Sequence, residues 1–102
     1  MHNFRTLDLA VAFYRQVTGL NLPHHLKDQL LRASSSIALN LAEGRGKPTS
    51  RDQLRYFHIA MGSLRESQAV LLLTSDLEPS LRALADRLGA ALFLLIRNSK
   101  RQ

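Results

Sequence analysis

Apolar residues recur along this chain at spacings of three and four, the period of a helix buried along one side rather than the alternation of a half-buried strand. The first such line is Leu7, Ala10, Val11, Tyr14 and Val17. The second is Leu26, Leu30, Ala33, Ile37 and Leu41, with Gly44 standing where a helix-ending glycine belongs. The third is Leu54, Phe57, Met61, Leu64, Leu71 and Leu72, and the fourth is Leu81, Leu84, Ala85, Leu88, Leu92, Leu95 and Ile96. Turn chemistry separates them at Gly19–Pro23, Gly44–Ser50 and Ser75–Pro79. Ser50 and Gln53 fit a capping box at the start of the third helix, and Pro79 suits the first turn of the fourth. The spacing predicts helices over about 7–18, 24–43, 50–75 and 79–98 in one domain spanning 1–102. Short connections between them favour an all-α, antiparallel up-and-down four-helix bundle. No internal repeat breaks the pattern, and Ser34–Ser36 is its one low-complexity run.

Two helices carry more apolar surface than one stripe needs. Ile59, Val70 and Leu73 fall outside the main line of helix 3, and helix 4 is apolar nearly all round from Gly89 to Ile96, including Phe93 and Leu94. That excess predicts self-association through Ile59, Val70, Leu73, Phe93 and Leu94, against the plainer reading of a generous core with a few exposed leucines.

Composition narrows the class. With 102 residues and 45% hydrophobic content the chain can bury one modest core, so it does not read as disordered. No cysteine is present, which removes disulfides, thiolate metal sites and Cys nucleophiles. No secretory leader or membrane-spanning run is apparent, and the expectation is a soluble cytoplasmic domain. Fourteen Lys and Arg against eight Asp and Glu leave +6, a balance that permits RNA or DNA as partner without naming either.

Polar lines supply the candidate chemistry. Helix 2 carries Gln29, Arg32, Ser36, Asn40 and Glu43 beside its apolar stripe, a row suited to hydrogen-bonding a neighbouring helix or chain. Helix 3 carries Arg51, Arg55, His58 and Arg65, with Arg45 and Lys47 just upstream and a basic tail of Arg97, Lys100 and Arg101 downstream. Arginines so spaced can meet successive phosphates, with few aromatics beside them to read bases. The candidate nucleic-acid contacts are therefore Arg45, Lys47, Arg51, Arg55 and Arg65.

Catalytic motifs fail one by one. Gly44-Arg45-Gly46-Lys47 lacks the glycine a phosphate loop needs at Leu41 and the hydroxyl it needs at Pro48. None of Glu43, Glu66 and Glu78 has a histidine three residues on, so the bundle-metal pattern is missing. His24 and His25 are adjacent and diverge on a helix, and the serine run has no nucleophile elbow. The expectation is no enzyme, no metal and no cofactor.

Two stretches together carry a resemblance. Arg32-Ala33, Ser36-Ile37 and Asn40-Leu41-Ala42-Glu43-Gly44 on helix 2, with Ile59-Ala60-Met61-Gly62-Ser63-Leu64-Arg65-Glu66 on helix 3, resemble the bacterial four-helix bundle family of proteins encoded in intervening sequences of 23S ribosomal RNA genes. That family also contains the accessory variability protein of diversity-generating retroelements. The likeness runs over roughly Leu7 to Ile96, departing in the absence of an early tryptophan in helix 1 and in a short connection into helix 4. It implies a homopentameric barrel, with Arg32, Ser36, Asn40, Glu43 and Gly44 on helix 2 and Gly62, Ser63 and Glu66 on helix 3 as signature positions for fold and assembly. It also implies nucleic acid and a reverse transcriptase as candidate partners. The residues themselves leave two readings open, a nucleic-acid-binding accessory module and a protein-interaction scaffold without a nucleic-acid role.

Overall fold

A computed structural model describes residues 2–74 and 78–101, with side chains from residue 5 onward; Ser75, Asp76 and Leu77 of the expected third turn lie outside the described residues. Four helices follow one another, α1 (His2–Thr18), α2 (His24–Arg45), α3 (Ser50–Leu72) and α4 (Pro79–Lys100). Among the described residues there is no strand. Connections this short force each helix to double back on the last, giving the antiparallel up-and-down bundle. α2 and α3 share the most extensive packing, and among the described residues α1 with α3 and α2 with α4 sit on the diagonals without close backbone approach. The result is a rod of 42 × 22 × 18 Å.

The ends of the helices are held by identifiable groups. Lys27 donates its ammonium to the carbonyls of Thr18 and Leu20, satisfying the C-terminus of α1 from the first turn of α2. α3 is capped by Thr49, whose Oγ1 accepts from the Asp52 amide at 3.2 Å. The expected Ser50–Gln53 box is therefore one residue out of register. Gln53 instead donates its side-chain amide to the Lys47 carbonyl at 2.9 Å and ties down the α2–α3 loop. α4 opens at Pro79, which sits in its first turn.

Gly44 does not end α2. The helix continues to Arg45 with Gly46 as its C-cap, and Gly44 is buried within it. A Cβ at Gly44 would stand 2.8 Å from Phe57 Cε1 and 2.9 Å from Tyr56 Cβ. Glycine is there because α2 and α3 approach closely at this point, not because the chain must turn.

The core runs the length of the rod. α2 and α4 bury the residues their spacing indicates, including Leu30, Ile37 and Leu41 and then Leu81, Leu88 and Leu92, except that Leu26 and Leu95 are only half-buried. α1 is rotated from the expected face: Thr6, Ala10, Phe13 and Val17 are buried, while Leu7, Val11 and Tyr14 are only half-buried. On α3 the assignments of Val70 and Leu72 are reversed. Val70 is 2% exposed and Leu72 is 77% exposed, because α3 turns its buried side toward α2, its most extensive neighbour. The buried hydroxyls of Ser34 and Ser67 return to the carbonyls of Leu30 and Ser63 one turn back, so neither is left without a partner.

Candidate nucleic-acid interface

The up-and-down topology places four sequence-distant segments at one end of the rod: the start of α1, the end of α2, the start of α3 and the end of α4. Those segments hold Arg5, then Arg45 and Lys47, then Arg51 and Arg55, and finally Arg97, Lys100 and Arg101. Asp8, Glu43 and Asp52 are the acidic residues among them. At the far end Arg15, Lys27 and Arg82 are balanced by Asp28, Glu78 and Asp86. Most of the chain's net +6 therefore sits at a single end.

Within this end, Tyr56 organises two of the cations. Lys47 Nζ lies 5.1 Å from the ring centroid and the Arg55 guanidinium carbon 5.7 Å from it. Lys47 also pairs with Glu43 at 3.1 Å across one helical turn. That hydrogen bond, followed by the influence of Tyr56, raises the Lys47 pKa above its usual 10.5, so the ammonium stays charged through neutral pH. Arg51 and Arg55 are exposed on the outer side of α3.

Of the five basic residues singled out from sequence, the structure gathers Arg45, Lys47, Arg51 and Arg55 at this end. Arg65 stands about 15 Å further along α3 from Arg55 and is not part of the cluster. Arg5 belongs to no basic line visible in the sequence, and the basic tail of Arg97, Lys100 and Arg101 has no fixed place in the sequence alone. The signal that locates both is the antiparallel topology itself, which returns the last turn of α4 to the first turn of α1.

The polar row of α2 splits into parts with different roles. Ser36 and Ser63 share a hydrogen bond of 2.8 Å between α2 and α3, and Asn40 donates to the Ser36 carbonyl at 2.8 Å and to its hydroxyl at 3.0 Å. Gln29 reaches Glu66 at 3.5 Å, a long contact at the exposed edge. Arg32 pairs with Asp28 on its own helix at 3.3 Å, and Glu43 with Lys47, so neither of these crosses to α3. Ser36→Ala is expected to cost about 0.5–1.5 kcal/mol in a urea titration, because it removes the half-buried link between the helices. Arg32→Ala should stay within about 0.5 kcal/mol, its partner being solvent-exposed. Equal losses from the two variants would show that the row acts as one unit.

The residues expected at an oligomer interface are also divided. Ile59, Leu73, Phe93 and Leu94 are exposed to 43%, 70%, 60% and 45%. Val70 is removed from that set, because it packs into the chain's own core. Leu39 and Leu72 are exposed as well, neither anticipated as surface. Gly62, in the middle of α3, is exposed, and apart from its own neighbours and helix backbone no atom of the described residues comes within 4 Å of the position its Cβ would occupy. A mid-helix glycine costs about 0.8–1 kcal/mol relative to alanine, and nothing inside the chain requires this one.

A groove of about 810 Å³ opens between α1 and α4, lined by Arg5, Leu9, Arg87, Ala90, Ala91, Leu94 and Asn98 among others. Among the described residues no cluster of His, Asp and Glu is arranged to hold a metal ion, and no helix is long and apolar enough to cross a membrane.

No curated protein and no solved structure matches the chain. The family model of the 23S rRNA-intervening sequence protein matches residues 5–89, which takes in α1, α2, α3 and the first half of α4. On that span, which exceeds half of its length and agrees with the four-helix architecture, the chain belongs to the 23S rRNA-intervening sequence protein family.

Proposed function

We propose that this protein is a non-enzymatic, self-associating bundle that binds the phosphate backbone of nucleic acid through its basic end, as an accessory module of a ribonucleoprotein. The observation that carries this reading is the charge asymmetry: topology brings Arg5, Arg45, Lys47, Arg51, Arg55, Arg97, Lys100 and Arg101 to one end while the other end is balanced. Cations at the ends of several helices can track a backbone whose path is not known to the sequence of bases. Base reading is not proposed, because Tyr56, an aromatic within the cluster, is half-buried and already faces Lys47 and Arg55. A chain without cysteine suits a reducing cytoplasm. The excess apolar surface supports self-association, with a ring of five being the number the family resemblance implies.

Fluorescence anisotropy with a labelled single-stranded RNA and a DNA duplex, titrated between about 50 and 200 mM KCl, tests the reading. Affinity is expected to fall linearly with salt on logarithmic axes, for both nucleic acids. Arg51→Gln/Arg55→Gln and Arg97→Gln/Lys100→Gln should each flatten the single-strand slope by about 1.4 and weaken binding by about tenfold or more. Arg65→Gln should leave both within about twofold, since it stands apart from the cluster. Absence of binding at low salt would leave the second reading, a protein-interaction scaffold, which the exposed Phe93 and Leu73 favour.

A further inference from the structure

We propose that copies of this chain pack side by side and parallel, the outer face of α3 around Gly62 in one copy seated against the α1/α4 groove around Ala90 of the next. This rests on the self-association reading and adds which surfaces meet. Ile59, Gly62 and Glu66 are spaced i, i+3, i+7 on α3 and fall within an arc of about 60° on its solvent side. Arg87, Ala90 and Leu94 repeat that spacing and that arc on α4, on the rim of the groove.

The two faces match in height as well as in spacing. A Cβ on Gly89 would lie 3.5 Å from Leu64 Cδ2, which brings those two residues to about the same height across the antiparallel α3/α4 pair. Stepping outward from them puts Ile59 level with Leu94, Gly62 with Ala91 and Glu66 with Arg87. A neighbouring copy translated sideways without sliding along the rod therefore meets apolar with apolar, small with small, and carboxylate with guanidinium.

Charge complementarity favours a second copy as occupant. The groove lining contains Arg5 and Arg87 and no carboxylate, and neither arginine has an ion-pair partner among the described residues. The α3 face supplies Glu66, exposed and, among the described residues, holding only the long contact to Gln29. Gly62 then has a purpose, since a bare helix backbone lets a helix bearing Ala90 and Ala91 come close. The matched family span ends at residue 89, so Ala90 and Leu94 are read from this chain's own structure.

Because the surfaces differ, the contact is heterologous, and it closes into a ring when the rotation per copy divides the circle. Parallel packing puts every basic end on the same rim. A single nucleic acid crossing that rim would meet several clusters at once, raising avidity without any new contact.

Sedimentation velocity of the full chain, read with far-UV circular dichroism, decides the matter. Wild type is expected as an assembly of three or more copies. Gly62→Leu should keep full helicity yet sediment as a single chain at the same concentration. Glu66→Arg and Arg87→Glu should each weaken assembly by at least tenfold, and Glu66→Arg/Arg87→Glu in one chain should restore it. A single-chain wild type overturns both self-association and this interface. A wild type that stops at two copies, or an assembly indifferent to Gly62→Leu and to both charge reversals, overturns this interface and leaves self-association standing. Failure of the double reversal to restore assembly removes the Glu66–Arg87 pairing and with it the proposed register.

Discussion

Phe13→Ala is expected to lower the unfolding free energy by about 3–5 kcal/mol, enough to leave the domain largely unfolded near 37 °C if it starts at the lower end of ordinary stabilities. Phe13 is 0% exposed and, among the described residues, is the largest side chain that α1 buries in the core. Among the described residues α1 packs on α2 and α4 and not on α3; Leu7, Leu9 and Ala12 flank the core partly buried, and its fully buried apolar line is Ala10, Phe13 and Val17. Two of those three are small or medium-sized, and neither can close over the space the ring leaves. A cavity in a rod 18 Å across its narrow dimension has few neighbours able to collapse into it. In thermal denaturation followed by circular dichroism, the midpoint should fall by roughly 12–40 °C at the 4–8 °C per kcal/mol typical of this size. Tyr14→Ala serves as the comparison, because Tyr14 is half-buried and should lose less than half as much. The two should be compared at the same protein concentration, since assembly adds stability of its own. If Tyr14→Ala proves the more damaging of the pair, the rotation assigned to α1 is wrong.

That contrast also shows where periodicity stops being informative. The line Leu7, Ala10, Val11, Tyr14, Val17 and the line Thr6, Ala10, Phe13, Val17 share Ala10 and Val17 and both obey three-four spacing. Local pattern cannot choose between them; the surfaces of α2 and α4 do. α2 and α4 were readable because each carries a continuous apolar line and Pro79 marks where α4 begins, whereas the true end of α2 at Gly46 lies two residues beyond the expected Gly44. The α3 cap was readable only to within one residue, since Thr49 and Ser50 both offer a hydroxyl three residues before a polar side chain. The basic residues of α3 could be seen as a row, but their grouping with Arg5 and Arg97 required knowing which helix ends coincide. Gly44 was legible as a special position and not for its reason, which lies in a ring and a Cβ on another helix.

Gly44→Ala supplies the second large effect, and its sign is a contest between two terms. Alanine favours the helix over glycine by about 0.8–1 kcal/mol, and in open surroundings that gain would prevail. Here the new methyl would meet Phe57 Cε1 at 2.8 Å, Tyr56 Cβ at 2.9 Å and Phe57 Cδ1 at 3.0 Å. The Phe57 ring could tilt, but it is 1% exposed and held by the core. The Tyr56 Cβ is fixed to the α3 backbone and has no rotamer by which to withdraw. The helices must therefore part at their closest approach, and overpacking of this kind costs about 1–3 kcal/mol, which outweighs the propensity gain. A net loss is expected in urea denaturation, and Phe57→Leu should relieve part of it, giving a coupling of at least about 0.5 kcal/mol in a double-mutant cycle. Gly62→Ala, the same chemistry at an open position of α3, should instead stabilise dilute, dissociated protein by up to about 1 kcal/mol. The consequence extends to the basic end, because Lys47 follows Gly44 by three residues and takes its position over Tyr56 from the same crossing. Prying α2 from α3 there should weaken nucleic-acid binding more than Ser36→Ala does, although both variants loosen the same helix pair. A Gly44→Ala protein as stable as wild type would mean that the crossing yields at little cost, and the close approach would then no longer account for the glycine.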